Sequence, residues 1–333
     1  MSDSVLSPED GPVLITGGAG YIGGHAVLAL QDAGIEVCVI DDLSTGKRQP
    51  FHDRVHFYEG RVHDQTLVSQ IIRRHKVESI LHFAGSIKVD ESVSNPLKYY
   101  ENNTEGSRNL IEVSVAENVR RFIFSSTAAV YGETGDEPVS EGALPVPLNP
   151  YGASKLFTEQ QLKDVCAVSN MQFGIFRYFN VAGADPDLRH GQFLENPTHL
   201  IGRAIDAMLG KSLPLMVFGR QLPTPDGTGV RDYIHVSDVV DAHLALLGHM
   251  RNTGESFLFN LGYGRGSSVL DVVSALEKET GQKVPHDFGP PRPGEAPSVI
   301  ADINLLKSQL DWRPKYGTLA QLLHSSYSWA KSL

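Results

Sequence analysis

Cysteine is scarce in this chain, and long apolar runs are missing. The 333 residues contain only Cys38 and Cys166, which excludes a disulfide scaffold and a multi-cysteine metal site. Both cysteines lie in apolar stretches, and we expect them to be buried thiols. No run approaches the roughly 18 apolar residues that a membrane-spanning helix needs, so we expect no membrane partner. Residues 1–11 lack the basic and apolar segments of a secretion signal, which predicts a cytoplasmic protein.

Positive charge is also in short supply. The chain has 29 Lys and Arg against 39 Asp and Glu, a formal net charge of −10. This surplus repels nucleic acid, so no nucleic-acid partner is expected, and any phosphate site must be built locally. The 13 histidines include no His-Glu-x-x-His pattern and no cluster with cysteine, so we expect no metal.

The apolar pattern alternates between short strands and helices. Strands are predicted at 12–16, 36–40, 56–59, 79–83, 121–125 and 174–178, and helices at 25–33, 65–75, 99–116 and 151–168. Such alternation favours an α/β fold with a doubly wound parallel sheet of the Rossmann type. We therefore predict a nucleotide-binding domain over 1–180, in which residues 1–11 are disordered.

After Asn180 the pattern becomes more mixed. It predicts helices at 199–209, 236–249 and 270–279 and strands at 215–218 and 257–261. Residues 181–333 are expected to form a smaller, mixed α/β substrate domain. Within it, about 236–262 are expected to return and pack on the first sheet.

A glycine-rich turn joins the first predicted strand to the first helix. Gly17 would permit the tight turn, Gly20 would let backbone N–H groups approach a pyrophosphate, and Gly23 would let helix and strand pack closely. Asp41 ends the next strand, where its carboxylate can accept from both ribose hydroxyls of NAD. Lys47 and Arg48 lie nearby in the sequence and leave NADP open. An ordinary glycine turn and a surface acid are the simpler interpretations of the same residues.

Tyr151 and Lys155 lie four residues apart on a predicted helix and therefore share one face. A tyrosine pKa is about 10, too high for a base at neutral pH. A neighbouring ammonium, together with a positively charged nicotinamide, would lower it. Thr127, beyond the strand at 121–125, could bind the same substrate oxygen.

Together these residues resemble the extended short-chain dehydrogenase/reductases, and most closely the UDP-glucose 4-epimerase family. The resemblance covers about residues 12–330. It rests on motifs in both halves of the chain: TGGAGYIG at 16–23, HFAG at 82–85, YYENN at 99–103, FSST at 124–127, PYGASK at 150–155, RYFN at 177–180, DGTGVRDYIHV at 226–236 and RPG at 292–294.

The resemblance implies a mechanism. Tyr151 as phenolate would take the proton from the sugar 4-hydroxyl while hydride passes from C4 to tightly bound NAD, and the keto sugar would turn over before hydride returns. Thr127 would orient the oxygen, and Lys155 would bind the nicotinamide ribose. The implied NAD contacts are Gly17, Gly20, Tyr21, Ile22, Gly23, Asp41, Phe83, Ala84, Asn103, Ser125, Tyr151, Lys155 and Tyr178. The implied UDP-sugar contacts are Thr127, Asn180, Leu200, Phe218, Arg231, Arg292, Glu295 and Val299.

The chain departs from the family pattern at several positions. Arg61 replaces an Asp that commonly meets the adenine, and Ile87 replaces a common Lys. Val299 stands where a bulky Tyr restricts many members to unacetylated sugars, so UDP-GlcNAc and UDP-GalNAc are expected to be possible substrates. The resemblance also implies a homodimer that pairs the helices at 99–116 and 151–168.

Three further functions are compatible with parts of this pattern. An epimerase acting mainly on UDP-GlcNAc or a UDP-pentose stays open. A nucleotide-sugar 4,6-dehydratase is disfavoured, because Thr127 is followed by Ala128 and Ala129 where an acid and a base are needed. A non-catalytic dinucleotide sensor is disfavoured because Tyr151, Lys155 and Thr127 are all retained.

Overall fold

The computed structural model describes Leu6 and residues 11–49, 55–135, 137–193, 197–290 and 296–333. The elements of these residues are, in chain order, β1 (Val13–Thr16), α1 (Tyr21–Asp32), β2 (Val37–Asp41), β3 (Val55–Glu59), α2 (Gln65–His75), β4 (Ser79–His82), α3 (Val89–Ser94), α4 (Pro96–Tyr99), a π-helical turn (Tyr100–Glu105), α5 (Gly106–Ala116), β5 (Arg121–Thr127), a 3-10 turn (Ala128–Val130), α6 (Pro150–Cys166), β6 (Gln172–Tyr178), β7 (Asn180–Ala182), α7 (Leu200–Met208), β8 (Leu215–Phe218), β9 (Val230–His235), α8 (Val236–Thr253), β10 (Phe257–Leu261), β11 (Gly266–Ser268), α9 (Val269–Thr280), β12 (His286–Gly289), β13 (Ser298–Val299), α10 (Asn304–Gln309) and α11 (Leu319–Ser332).

Seven of the described strands form one parallel sheet in the order β10-β6-β5-β4-β1-β2-β3. The chain winds outward from β1 in one direction through β2 and β3, and in the other through β4 and β5. The winding reverses between β1 and β4, so their carboxyl ends flank a crevice, the place where such sheets bind ligands. The predicted α/β, doubly wound fold is confirmed.

The central strands are buried on both faces because helices cover both. In β1, Val13 and Ile15 belong to one apolar cluster, and Leu14 belongs to another on the opposite face. The first cluster lies under α1 and α8, and the second under α2, α5 and α6. This two-sided burial explains why β1 is a continuous apolar run and not an alternating one.

The remaining strands lie outside this sheet. Parallel strands β7 and β13 pair with β9, as does antiparallel β11, while β8 and β12 form a separate parallel pair. Helices α7, α9 and α11 enclose an apolar cluster that includes Ile201, Leu215 and Leu276. Two later elements lie on the large sheet: β10 pairs with β6, and α8 packs against α1.

Three predicted boundaries are wrong in informative ways. Helix α1 begins at Tyr21 and not at 25, so Gly23 lies in its first turn. Strand β5 runs to Thr127, so this threonine lies inside the strand. The single helix predicted at 99–116 is broken by the π-helical turn, a feature that often marks functional sites.

The predicted disorder of residues 1–11 falls mostly outside the described residues. Leu6, within that stretch, is 7% exposed and belongs to the first apolar cluster. Across the residues that the structure covers, no helix combines the length and apolar character needed to cross a membrane.

Candidate active site

The glycine turn lies at the carboxyl end of β1, beside the crevice. Gly17 has a φ of +71°, and a Cβ there would lie 2.7 Å from the backbone nitrogen of Ala84, so only glycine fits. A Cβ on Gly23 would lie 2.2 Å from the Gly17 carbonyl oxygen, so glycine also lets α1 begin directly on the turn. Helix α1 starts after Gly20 without a side-chain cap. An uncapped helix N-terminus beside a glycine turn suits a pyrophosphate.

Asp41 ends β2, the strand next to β1. Its two carboxylate oxygens accept from the backbone N–H groups of Ala19, at 2.9 Å, and Leu43, at 2.8 Å. Burial raises the pKa of this carboxyl, and the two hydrogen bonds oppose that rise. A carboxylate offers about four acceptor positions, so the fixed group retains capacity for two ribose hydroxyls. The uncapped helix and this acid fit a dinucleotide.

Three basic residues near Asp41 are engaged elsewhere. The Arg48 guanidinium lies 4.7 Å from the centre of the Phe57 ring, and the Lys47 ammonium lies 5.8 Å from that of Phe193. These contacts give no support to a 2′-phosphate site. Arg61, at the expected adenine position, lies 3.9 Å from Asp42 and 3.6 Å from Glu101.

The first turn of α6 carries Tyr151. The Asn149 side chain accepts from the Gly152 N–H at 2.9 Å, and Pro150 occupies the first helical position, so the helix start is well defined. Thr127, at the end of β5, lies beside the Tyr151 phenol and acts to lower its pKa. The Thr127 hydroxyl also accepts from the Ala129 N–H at 3.1 Å, which leaves its own hydrogen to donate to the phenol.

Lys155 lies one turn further along α6. Its ammonium donates to the Ser125 carbonyl oxygen at 2.9 Å and lies 4.9 Å from the centre of the Phe124 ring. The side chain is 3% exposed, and burial lowers its pKa to about 8. The structure therefore brings Tyr151, Thr127 and Lys155 together at the carboxyl end of β5.

The expectation that Lys155 and a positively charged nicotinamide together lower the pKa of Tyr151 stays a prediction, because it depends on the bound cofactor. Burial raises the pKa of the phenol, and the only opposing contribution among the described residues is the hydrogen bond to Thr127. Removal of the phenolate from water is the larger of these two contributions. A bound nicotinamide would supply a further positive charge.

The other residues expected to contact NAD surround this point. Asn103 lies in the π-helical turn, where its side chain accepts from the Ser86 N–H at 2.7 Å and donates to the Ser154 hydroxyl at 3.0 Å. The Phe83 and Ala84 backbones follow β4, beside Gly17. Two tyrosine hydroxyls are already engaged: Tyr21 donates to the Gly183 carbonyl oxygen and Tyr178 to His243, each at 2.6 Å. Ile22 lies in the first turn of α1.

Apart from Thr127, the predicted sugar-nucleotide residues that the structure describes lie on the smaller sheets and on α7. Asn180 begins β7, Leu200 begins α7, and Phe218 ends β8. Arg231 of β9 pairs in register with Val299 of β13. Arg292 and Glu295 lie outside the described residues.

Val299 packs against a small apolar cluster that contains Phe179. Ala128, the residue after Thr127, packs against the same cluster. Val299 therefore has the predicted diphosphate residue Arg231 as its register partner and shares an apolar cluster with the residue after Thr127.

Glu159 was not predicted from the sequence, although it is fully buried beside the site. It accepts from the Ser126 hydroxyl at 2.5 Å and from the Arg177 guanidinium at 2.6 and 2.9 Å. These contacts tie α6 to β5 beside Thr127 and to β6 beside Tyr178. The sequence did contain a signal for Glu159. Tyr151, Lys155 and Glu159 recur every four residues and therefore share one helical face.

Comparison with known proteins gives a consistent result. Residues 13–262 match the model of the NAD dependent epimerase/dehydratase family. The chain is 49% identical to the UDP-glucose 4-epimerase of Azospirillum brasilense over 321 residues, 96% of this chain and 92% of the relative.

Two solved structures extend the likeness to the fold. The UDP-glucose 4-epimerase of Stenotrophomonas maltophila, with bound NAD and formylated UDP-arabinopyranose, superposes with a TM-score of 0.94 at 34% identity, covering 97% of this chain and 98% of that one. The UDP-Glc/GlcNAc 4-epimerase of Campylobacter jejuni gives a TM-score of 0.84 at 41% identity, covering 97% and 100%. The chain therefore belongs to the NAD-dependent epimerase/dehydratase family and, within it, to the UDP-glucose 4-epimerases.

Proposed function

We propose that this enzyme inverts the C4 configuration of a UDP-hexose, interconverting UDP-glucose and UDP-galactose with NAD held throughout the cycle. The observation that carries the proposal is the convergence of Tyr151, Thr127 and Lys155 at the crevice of the dinucleotide-type sheet. The relative at 49% identity is itself a UDP-glucose 4-epimerase.

The chain's own residues account for the proton transfers. Tyr151 accepts the proton of the 4-hydroxyl, and Thr127, which lies beside the phenol, holds the shared proton and orients the oxygen. Lys155 is fixed by Ser125 and presents a positive charge beside the phenolate. NAD, when bound, supplies the hydride acceptor and donor.

We also propose that the two halves of the chain bind different molecules. Residues 1–180 would hold NAD through the glycine turn, Asp41, the backbones of Phe83 and Ala84, Asn103, Ser125 and Tyr178. Residues 181–333 would hold the UDP-sugar through Asn180, Leu200, Phe218, Arg231, Arg292 and Glu295. The pairing of β10 with β6 supports a return of about 236–262 to the first sheet.

One residue, Val299, favours a second candidate activity, the C4 epimerisation of UDP-GlcNAc and UDP-GalNAc. Val299 packs against the apolar cluster that contains Phe179, as does Ala128, the residue after the catalytic threonine, and valine is smaller than the tyrosine of restricted members. A Val299→Tyr variant should lose turnover of UDP-GalNAc while keeping that of UDP-galactose. An unchanged ratio of the two rates would remove this candidate.

A UDP-pentose epimerase, a dehydratase and a non-catalytic sensor gain less support. The relative from Stenotrophomonas maltophila carries a UDP-pentose derivative, so a UDP-pentose is retained as a test substrate. For a dehydratase, Ala128 and Ala129 form the 3-10 turn after Thr127 and offer no acid or base. A non-catalytic sensor would not need the Tyr151–Thr127 contact.

A homodimer that pairs the segment at 99–116 with α6 stays a proposal, and it is supported by an exposed apolar face that α6 forms with the neighbouring α3 and α4. Val93, Leu97 and Phe157 are 64%, 77% and 51% exposed there. Large apolar side chains exposed on adjacent helices are typical of an interface. The cytoplasmic location expected from the sequence stays a prediction, which cell fractionation would test.

The decisive experiment needs no added cofactor. The purified protein is incubated with UDP-galactose, UDP-GalNAc and UDP-arabinose, and the C4 epimers are quantified alongside the NAD released on denaturation. We expect UDP-glucose to form from UDP-galactose with about one NAD per chain. Protein that retains NAD yet converts none of the three sugars would overturn the proposal.

A further inference from the structure

Three side chains of the kind that bind metals meet at the end of the sheet opposite to the active site. Glu36 immediately precedes β2, His56 is the second residue of β3, and His75 is the last residue of α2. Asp41 marks the other end of β2, where the cofactor residues lie. The cluster is therefore separate from the catalytic groups and has no part in the function proposed above.

The donor atoms of the cluster converge on one point. Glu36 Oε1 lies 3.0 Å from His56 Nε2 and 3.2 Å from His75 Nδ1, and the three atoms all lie within 4.8 Å of one another. Ligand bonds of about 2.0–2.2 Å in a tetrahedral zinc site separate the ligand atoms by roughly 3.3–3.6 Å. Both distances from Glu36 lie within a few tenths of an ångström of this range.

The surroundings of His75 also suit a ligand. Its Nε2 lies 2.8 Å from the Tyr58 hydroxyl, so the second ring nitrogen has a partner that fixes the orientation of the ring. Metal-binding histidines almost always have such a partner. The side chain is 7% exposed, so its ring is held by the surrounding residues.

The proposed site is open to solvent, and its three ligands come from three separate segments. Glu36 and His56 are 46% and 41% exposed, so a cation can enter from solvent, and water can fill the remaining coordination position. The three ligands come from the loop before β2, from the edge strand β3 and from α2. A bound cation would therefore link the edge strand to its neighbours.

We propose that Glu36, His56 and His75 form a binding site for a divalent cation of the zinc class. Two imidazoles and one carboxylate favour Zn²⁺, Co²⁺ or Ni²⁺ over Mg²⁺ or Ca²⁺, which prefer sets composed of oxygen ligands. No local sequence pattern indicates this site, because its members are 20 and 19 positions apart.

The test uses the full chain with its NAD, without a polyhistidine tag, after treatment with a chelator. Zinc binding is measured by calorimetry, and Co²⁺ binding by its visible absorption. We expect one saturable site per chain, weakened more than about 100-fold in Glu36→Gln and His56→Gln, and about 10-fold in Tyr58→Phe. Both substitutions keep a polar side chain of similar length while they remove the carboxylate or imidazole that would bind the metal.

The matched control is His324→Gln. His324 Nδ1 lies 2.7 Å from Glu279 Oε1 in an exposed pair, so this variant removes a histidine–glutamate contact outside the proposed site. It should bind zinc as the unmodified protein does. Zinc should also raise the thermal midpoint of the unmodified protein and of His324→Gln, and not that of Glu36→Gln or His56→Gln.

Epimerase activity without added zinc serves as the check that each variant is folded. If the unmodified protein shows no saturable zinc binding, the three residues are a hydrogen-bonded cluster and the proposal fails. It fails equally if folded Glu36→Gln and His56→Gln bind zinc as tightly as the His324→Gln control.

Discussion

Replacing Lys155 with methionine should stabilise the fold near neutral pH while it removes activity. Burial lowers the pKa of this ammonium from 10.5 to about 8, so the folded protein keeps the proton at neutral pH against a desolvation cost. At about 1.4 kcal/mol per pKa unit, that cost is about 3 kcal/mol. Methionine has similar length and no charge. Loss of the donor to the Ser125 carbonyl oxygen should cost about 1 kcal/mol, which leaves a net gain of about 2 kcal/mol.

The pH dependence of this gain has a definite sign. Between about pH 8 and 10.5 the unfolded chain holds a proton on Lys155 that the folded chain has released. The unfolded state then binds more protons, so the unfolding free energy of the unmodified protein rises with pH relative to the variant. The advantage of Lys155→Met should be full below about pH 8, shrink above it, and be lost by about pH 10.

The assay is urea unfolding of both proteins across this pH range, at matched NAD content. Lys278→Met, on the exposed surface of α9, is the control for the substitution itself. All other titrating groups are shared, so they cancel in the difference between variant and unmodified protein. A variant that is less stable near pH 7, by an amount that does not change with pH, would refute the idea that the buried ammonium is destabilising.

Three further predictions concern the site and the surface. Tyr151→Phe should lower the epimerisation rate by about 10²–10⁴-fold, measured with UDP-galactose, with NAD content unchanged; normal turnover would exclude the phenol as the base. Glu159→Gln leaves the buried Arg177 guanidinium without its counter-charge and should cost about 3 kcal/mol or more in urea unfolding, with a loss below 1 kcal/mol contradicting the assignment. Phe157→Glu should convert a dimer to a monomer in analytical ultracentrifugation, whereas Leu213→Glu, 86% exposed elsewhere, should not; a monomeric unmodified protein would contradict the proposed interface.

Local patterns predicted much of the fold. The predicted helix at 65–75 and the strands at 215–218 and 257–261 have the same bounds as α2, β8 and β10. The apolar periodicity of these segments matches the way that they are buried, so packing against other elements did not change their predicted bounds. The π-helical turn was not predictable in this way, because Asn103 is held there by Ser86 and Ser154, which are distant in the sequence.

The sequence by itself determined the fold class, the glycine turn with Asp41, and the shared helical face of Tyr151 and Lys155. Each depends on spacing within one element or across one strand–helix unit, where backbone geometry fixes the outcome. Only the tertiary structure decided the direction of the Tyr151 pKa, the buried Glu159–Arg177 pair and the meeting of Glu36 with His56 and His75. Desolvation and contacts between distant segments depend on how elements pack together, and no local pattern encodes that packing.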